Sequence, residues 1–192
     1  MAIRNFRRLS MPTKLLGIVS LIGVGILGRL IPHIPNATPI TAVTLTASKY
    51  VGRLPAVIVP IITMLITDAI IGFYDWRILV SVYASFMLIS LIGIIAQKYP
   101  KLLPMGFVLI SASLLFFLVS NFSVWFFSPW YEKSISGLMY CYTLGLPFLR
   151  NMLLGDISYA LALFGAFEGI KMLQIKKHAT LKSAWEFIPT KY

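Results

Sequence analysis

Runs of apolar residues separated by short polar or turn-forming stretches organise the chain, and six can be drawn, at roughly 15–32, 38–52, 54–73, 78–96, 102–120 and 147–171. A helix needs ~20 apolar residues to cross a ~30 Å hydrocarbon core, and five of the six runs meet or approach that length. The second is short. It opens at Thr38-Pro39, where Thr38 suits an N-cap and Pro39 the first helical position, and it closes near Lys49. So short a span predicts a helix shielded by its neighbours or lying in a thinned part of the bilayer. The pattern as a whole predicts an all-α membrane protein with six transmembrane helices.

Composition agrees. Of 192 residues 58% are hydrophobic and 12% charged, with a mean hydropathy of +0.85. That is about half the charged share of a soluble domain, too few polar groups to cover a water-exposed surface. The net charge of +11 lies at the chain ends and between apolar runs, which points to cytoplasmic loops and not to a nucleic-acid surface. With the N-terminus inside, the inner set is Arg4, Arg7, Arg8, Lys14, Lys49, Arg53, Lys98, Lys101, Lys171, Lys176, Lys177, Lys182 and Lys191, against Arg29, Arg77, Lys133 and Arg150 outside. Only an even number of spans keeps the C-terminal lysines inside. The expected layout in the cell membrane is a basic cytoplasmic N-terminus (1–14), a transmembrane domain (15–171) and a basic cytoplasmic tail (172–192). The basic start before Leu15 resembles a signal peptide, but the chain continues Arg29-Leu-Ile-Pro-His with no small-x-small cleavage site, so a retained anchor is expected.

The outer loops then fall at about 33–38, 74–77 and 121–146. The last carries Phe122, Trp125, Phe126, Phe127, Trp130, Tyr131, Tyr140 and Tyr142. Such rings form belts at lipid–water interfaces, and a long ordered loop also suits a lid over a ligand.

Little in the chain suggests catalysis or a cofactor. Cys141 is the single cysteine, and His33 and His178 stand far apart, so neither an internal disulfide nor a familiar zinc site is expected. Gly23-Val-Gly-Ile-Leu-Gly28 matches a dinucleotide fingerprint only in letters, because it lies inside an apolar helix and not at a strand-to-helix turn. Gly17, Ser20, Gly23, Gly25 and Gly28 there predict close helix approach instead. With no phosphate-binding loop, any ATP-driven step would need a second protein.

Asp68 and Asp156 carry the strongest signal. Both lie in apolar runs, where an ionisable group is costly and marks a pathway, a pair or a binding site. At the helical rise they sit ~7 Å and ~13 Å from the outer face, near Arg150, Asn151 and Asn121. The plainer alternative is a packing network in which an aspartate pairs with Arg29 or Arg150. Glu168 is expected to pair with Lys171, one turn away. Thr38, Thr41, Thr44 and Ser48 share one face of the second helix, and hydroxyl packing between helices is the favoured reading.

Several segments resemble a family of uncharacterised prokaryotic-type integral membrane proteins: Arg29-Leu-Ile-Pro-His-Ile-Pro-Asn36 with Pro39 and Ala42, Pro60 through Asp68 to Gly72, Asn121-Phe-Ser-Val-Trp125, Tyr131, Gly137-Leu138, Cys141, Pro147-Phe148 and Gly155-Asp156. That family in turn looks like the substrate-capture (S) components of energy-coupling-factor vitamin transporters. The resemblance implies an S-component-like bundle with both termini inside, taking a small molecule from the outer face beneath the loops that here bear Asn36, Trp76 and Trp125. It also implies a membrane partner subunit with a separate ATPase. Small residues spaced four apart dock that partner in the family, and the nearest spacings here are Ala42 with Thr46 and Thr44 with Ser48. The expected ligand site is Asn36, Asp68, Asn121, Arg150 and Asp156 as polar contacts, with Trp76 and Trp125 as walls. A structural or assembly protein of the membrane is the competing expectation.

Overall fold

A computed structural model of the chain describes residues 11–99 and 104–186, with side chains as far as residue 174. Arg4, Arg7, Arg8, Lys101 and the end of the expected tail lie outside the described residues. The described part is all helix: α1 (Met11–Leu30), α2 (Ile40–Thr46) running into a π-helical turn (Ala47–Val51), α3 (Arg53–Ile71), α4 (Trp76–Ala96), α5 (Met105–Phe127) and α6 (Ile135–Glu186). Of these, α1, α3, α4, α5 and α6 are long and apolar enough to cross a membrane. Their outer faces carry large apolar side chains such as Leu16, Ile70, Leu91, Phe107 and Leu161, an exterior suited to lipid and not to water.

The second apolar run is indeed a short, shielded helix. Every residue of α2 is buried, and α2 packs against α1, α3, α4, α5 and α6 alike. Even with its π-helical turn it is only ~18 Å long, well short of a hydrocarbon core. Its start differs slightly from expectation. Pro39 occupies the cap position and its carbonyl accepts the first helical bond, from Val43 N at 2.8 Å, which leaves Thr38 outside the helix. At the other end Gly52 turns the chain into α3 with φ +145°, a conformation side-chain-bearing residues avoid.

Two apolar clusters surround α2. One gathers Ile40 and Leu45 with Met64, Phe86, Ile89, Val108 and Leu109. The other gathers Val43 and Ala47 with Leu21, Val59 and Phe167. Close approach at the α1 glycines fixes the frame as expected: a Cβ on Gly25 would lie 2.6 Å from Thr63 Cγ2, and one on Gly28 would lie 2.7 Å from Pro39. Gly17 is also buried, against Phe167, whereas Gly23 faces open space.

The expected long loop at 121–146 is corrected. Helix α5 continues to Phe127, residues 128–134 make the connection, and α6 begins at Ile135. Ring contacts along the α5 extension hold it helical: Phe122 stacks on Phe126 at 5.9 Å and meets Trp125 at 5.5 Å. The connection is tied down, Trp125 Nε1 donating to Glu132 O at 2.8 Å and the Lys133 ammonium to Trp125 O and Ser128 O. Beyond 171 the helix runs on to Glu186.

Candidate functional site

The α1–α2 connection sets one end of the bundle. Asn36 takes φ +66°, a left-handed conformation that asparagine tolerates better than most residues. Ala37 N then closes a turn onto Ile34 O at 2.9 Å. This turn lies directly on α6, for a Cβ on Gly155 would meet Ala37 Cα at 2.8 Å. Beneath it opens a cavity of about 280 Å³. Its polar lining is Arg29, His33, Asn36, Thr38, Thr41 and Tyr74. Met64, Val82, Phe86, Phe116 and Met152 are among its apolar walls, so every helix contributes. The mixture, apolar surface with a few convergent polar groups, is that of ligand pockets, and the volume lies near the low end of their ~300–1,000 Å³ range.

Arg29, at the C-terminal end of α1, leads into a buried ion pair. Its Nη2 lies 2.7 Å from Asp68 Oδ1, with side-chain exposures of 17% and 1%. Nη1 donates to Thr67 Oγ1 at 2.6 Å and to Met64 Sδ at 3.1 Å. Tyr83 OH donates to Asp68 Oδ2 at 2.8 Å, so both carboxylate oxygens are engaged. The paired charges leave the adjacent wall close to neutral. Tyr74, just past α3, feels the same carboxylate: burial first, and then the Asp68 charge, push its hydroxyl up to about 12, with Arg29 pulling the other way.

Asp156 has a different environment. It is 1% exposed and sits one residue past the Gly155–Ala37 contact. Ser113 of α5 lies 2.6 Å from Oδ2, while Oδ1 has no hydrogen-bond partner although the Thr41 side chain flanks the same carboxyl. Asp68 and Asp156 share no partner among the described residues.

Of the residues expected to bind a ligand, Asn36 lines the cavity and Asp68 and Asp156 stand behind its wall. The structure does not bring the other four there. Trp76 is 67% exposed, beneath the Arg77 guanidinium. Trp125 belongs to the aromatic stack at the end of α5. Asn121 donates to Phe117 O within its own helix at 2.8 Å and lies against Gly145 at the α5–α6 crossing. Arg150 is exposed on α6. The sequence reading missed His33, Tyr74 and Met152 of the lining and the partners Tyr83 and Ser113. Arg29 was the legible one, a lone cation at the end of an apolar run that also contains no acid.

Residues 10–180 match the model for a family of unknown function, DUF6580. The chain belongs to that family. No curated protein matches it, and no solved structure does. The DUF6580 match covers the whole cavity lining, the Arg29–Asp68 pair and Asp156 alike.

At the opposite end of this DUF6580 bundle Glu168 gathers a second polar group. Lys171 lies 3.3 Å away as expected, Lys49 lies 3.8 Å away, and Tyr50 OH donates to it at 2.9 Å. There too Gln97 donates to Ser48 O and Ser48 Oγ.

Proposed function

We propose that this chain is a six-pass cell-membrane protein, with both termini cytoplasmic, that binds a small solute in the cavity beneath Asn36, from the outer face. The cavity itself carries the reading. All the helices converge on one space that is apolar in body and polar at its rim. Three features support the topology. The chain reverses direction at each connection. Arg29, Thr38, Tyr74, Phe116 and Met152 come together at the cavity end, and Ser48, Lys49, Gln97 and Glu168 come together at the other. The lysine and arginine asymmetry supports an outward-facing cavity end.

The chemistry narrows the solute. Asp68 is already held by Arg29 and Tyr83, so it offers no free charge to a cation. A small, flat, uncharged molecule with hydrogen-bond acceptors suits Arg29 and Asn36 at the rim and Phe86 and Phe116 below. This is consistent with an S-component-like role in which a partner ATPase energises uptake.

The test is a thermal-shift screen of purified protein in detergent against vitamins, nucleobases, amines and metal ions. A ligand held only by the folded state at a hundredfold excess over Kd stabilises it by ~2.7 kcal/mol. A rise in melting temperature that Val82→Phe abolishes, by filling the cavity, is the expected result. No rise across the panel would favour the competing reading of a structural or assembly protein. One observation already leans that way, since a partner on each oxygen of Asp68, Arg29 on one and Tyr83 on the other, is what a packing network requires.

A further inference from the structure

Asp156 poses a problem in hydrogen counting. Ser113 Oγ lies 2.6 Å from Asp156 Oδ2 and 3.1 Å from Leu109 O. A serine hydroxyl has one hydrogen. If the carboxyl is ionised, two acceptors compete for that hydrogen, and Oδ1, fully buried, has no hydrogen bond although the Thr41 hydroxyl flanks the carboxyl. If the carboxyl carries its proton on Oδ2, the acid donates to Ser113 Oγ and Ser113 donates onward to Leu109 O. Each hydrogen of the Asp156–Ser113–Leu109 chain then has an acceptor, and the unbonded oxygen is a neutral carbonyl oxygen, whose desolvation costs far less than that of a carboxylate.

The surroundings offer no compensating charge. Helix α5 contains no ionisable residue. Helix α2 contains none, and those of its π-helical turn, Lys49 and Tyr50, are gathered around Glu168 at the far end. On α1 the nearby cation is Arg29, whose guanidinium rests on Asp68, and His33, beyond α1, is exposed. On α6 itself the neighbouring titratable group is Tyr159, one turn on, with its hydroxyl beside Gly28. An ionised carboxylate buried without a cation or a full set of donors is strongly disfavoured.

We propose that Asp156 is a proton-binding site in the membrane interior, occupied in the packed bundle and released only when the contact among α2, α5 and α6 loosens. The carboxyl and the two flanking hydroxyls offer too few oxygens for a sodium or calcium ion, which takes a larger oxygen shell. Thr41 flanks the same carboxyl and also lines the cavity, so loss of the proton would place a negative charge directly behind the cavity wall. The assignment stands whether or not the cavity holds a solute, and its test uses none.

Infrared spectroscopy of the whole protein in detergent reads the proton directly, through the C=O stretch of a protonated carboxylic acid. That band is expected at neutral pH, shifted in D2O and missing from Asp156→Asn. In Ser113→Ala it should persist at a changed frequency, and this second variant keeps the test open if the first fails to fold. The proposal is overturned by a wild-type spectrum without the band, by a band unaltered in the variants that fold, or by stabilisation of the wild type on adding sodium ions.

Discussion

Both carboxylate oxygens of Asp68 are engaged: Arg29 holds one, Tyr83 the other, and the carboxylate is out of solvent. Removing one partner of such a pair leaves an uncompensated buried charge, a loss of ~3–5 kcal/mol. Asp68→Asn should therefore lower unfolding stability in detergent by that order, and Tyr83→Phe by ~1.5–3 kcal/mol for one hydrogen bond to a charged group. A loss under ~1 kcal/mol in Asp68→Asn would mean that the pair is screened like a surface one. Tyr74 supplies a pH signature of the same carboxylate. Its folded-state value is raised from 10.0 to about 12, and a raised group stabilises fully below its unfolded value and loses that effect as pH climbs through the folded one. The alkaline fall in melting temperature between those two values should become shallower in Tyr74→Phe; an unchanged slope would assign that titration to other groups. Both aspartates were legible in the sequence because charge inside an apolar run is conspicuous. Arg29 was named as a partner for an aspartate and is one, but Tyr83 and Ser113 were not, because depth along a helix says nothing of which way a side chain points. Asn121 meets α6 at Gly145, well before Asp156, and Arg150 is exposed, so the side chain that reaches Asp156 is a serine, Ser113.

At the level of the helix, packing at Gly155 is the sensitive joint. A methyl group there would meet the backbone of Ala37, not a movable side-chain end. Gly155→Ala should cost ~1–3 kcal/mol through overpacking, whereas Gly23→Ala, which meets nothing, should gain up to ~1 kcal/mol from helix propensity. Equal melting temperatures for the two would show that the Asn36–Ala37 turn shifts freely. Gly52 and Gly72 mark both ends of α3, close to the bounds of the apolar run at 54–73. The junction of α5 and α6 was not readable in this way, since hydropathy measures where a bilayer ends and not where a helix does. The rings after Asn121 carry α5 on to Phe127, and α6 runs through Pro147 without ending. The literal nucleotide-binding motif was correctly read as a packing face, with Gly25 and Gly28 as the tight positions.

For the molecule as a whole, the alternating path of the helices makes a topological prediction. In a Cys141→Ala background, Lys133→Cys should react with an impermeant thiol reagent from outside the cell and Lys49→Cys only from inside. Reaction of both from one side would overturn the six-pass layout. An all-helical architecture was plain from the six apolar runs. The shortness of the second run pointed to a helix shielded by its neighbours, and every residue of α2 is buried; which helices do the shielding leaves no mark in hydropathy.

The central position of α2 has a consequence for how the protein is made. A helix as short as α2, with Thr41, Thr44 and Thr46 among its buried residues and Ser48 buried in the turn that follows, is too short to span a bilayer by itself. It gains its surroundings only as α3, α4, α5 and α6 emerge from the ribosome, and α6 comes last. Until then the side of α2 that packs on α6 has no helix against it. A chain interrupted before α6 would therefore leave that side of α2, Thr41 included, uncovered.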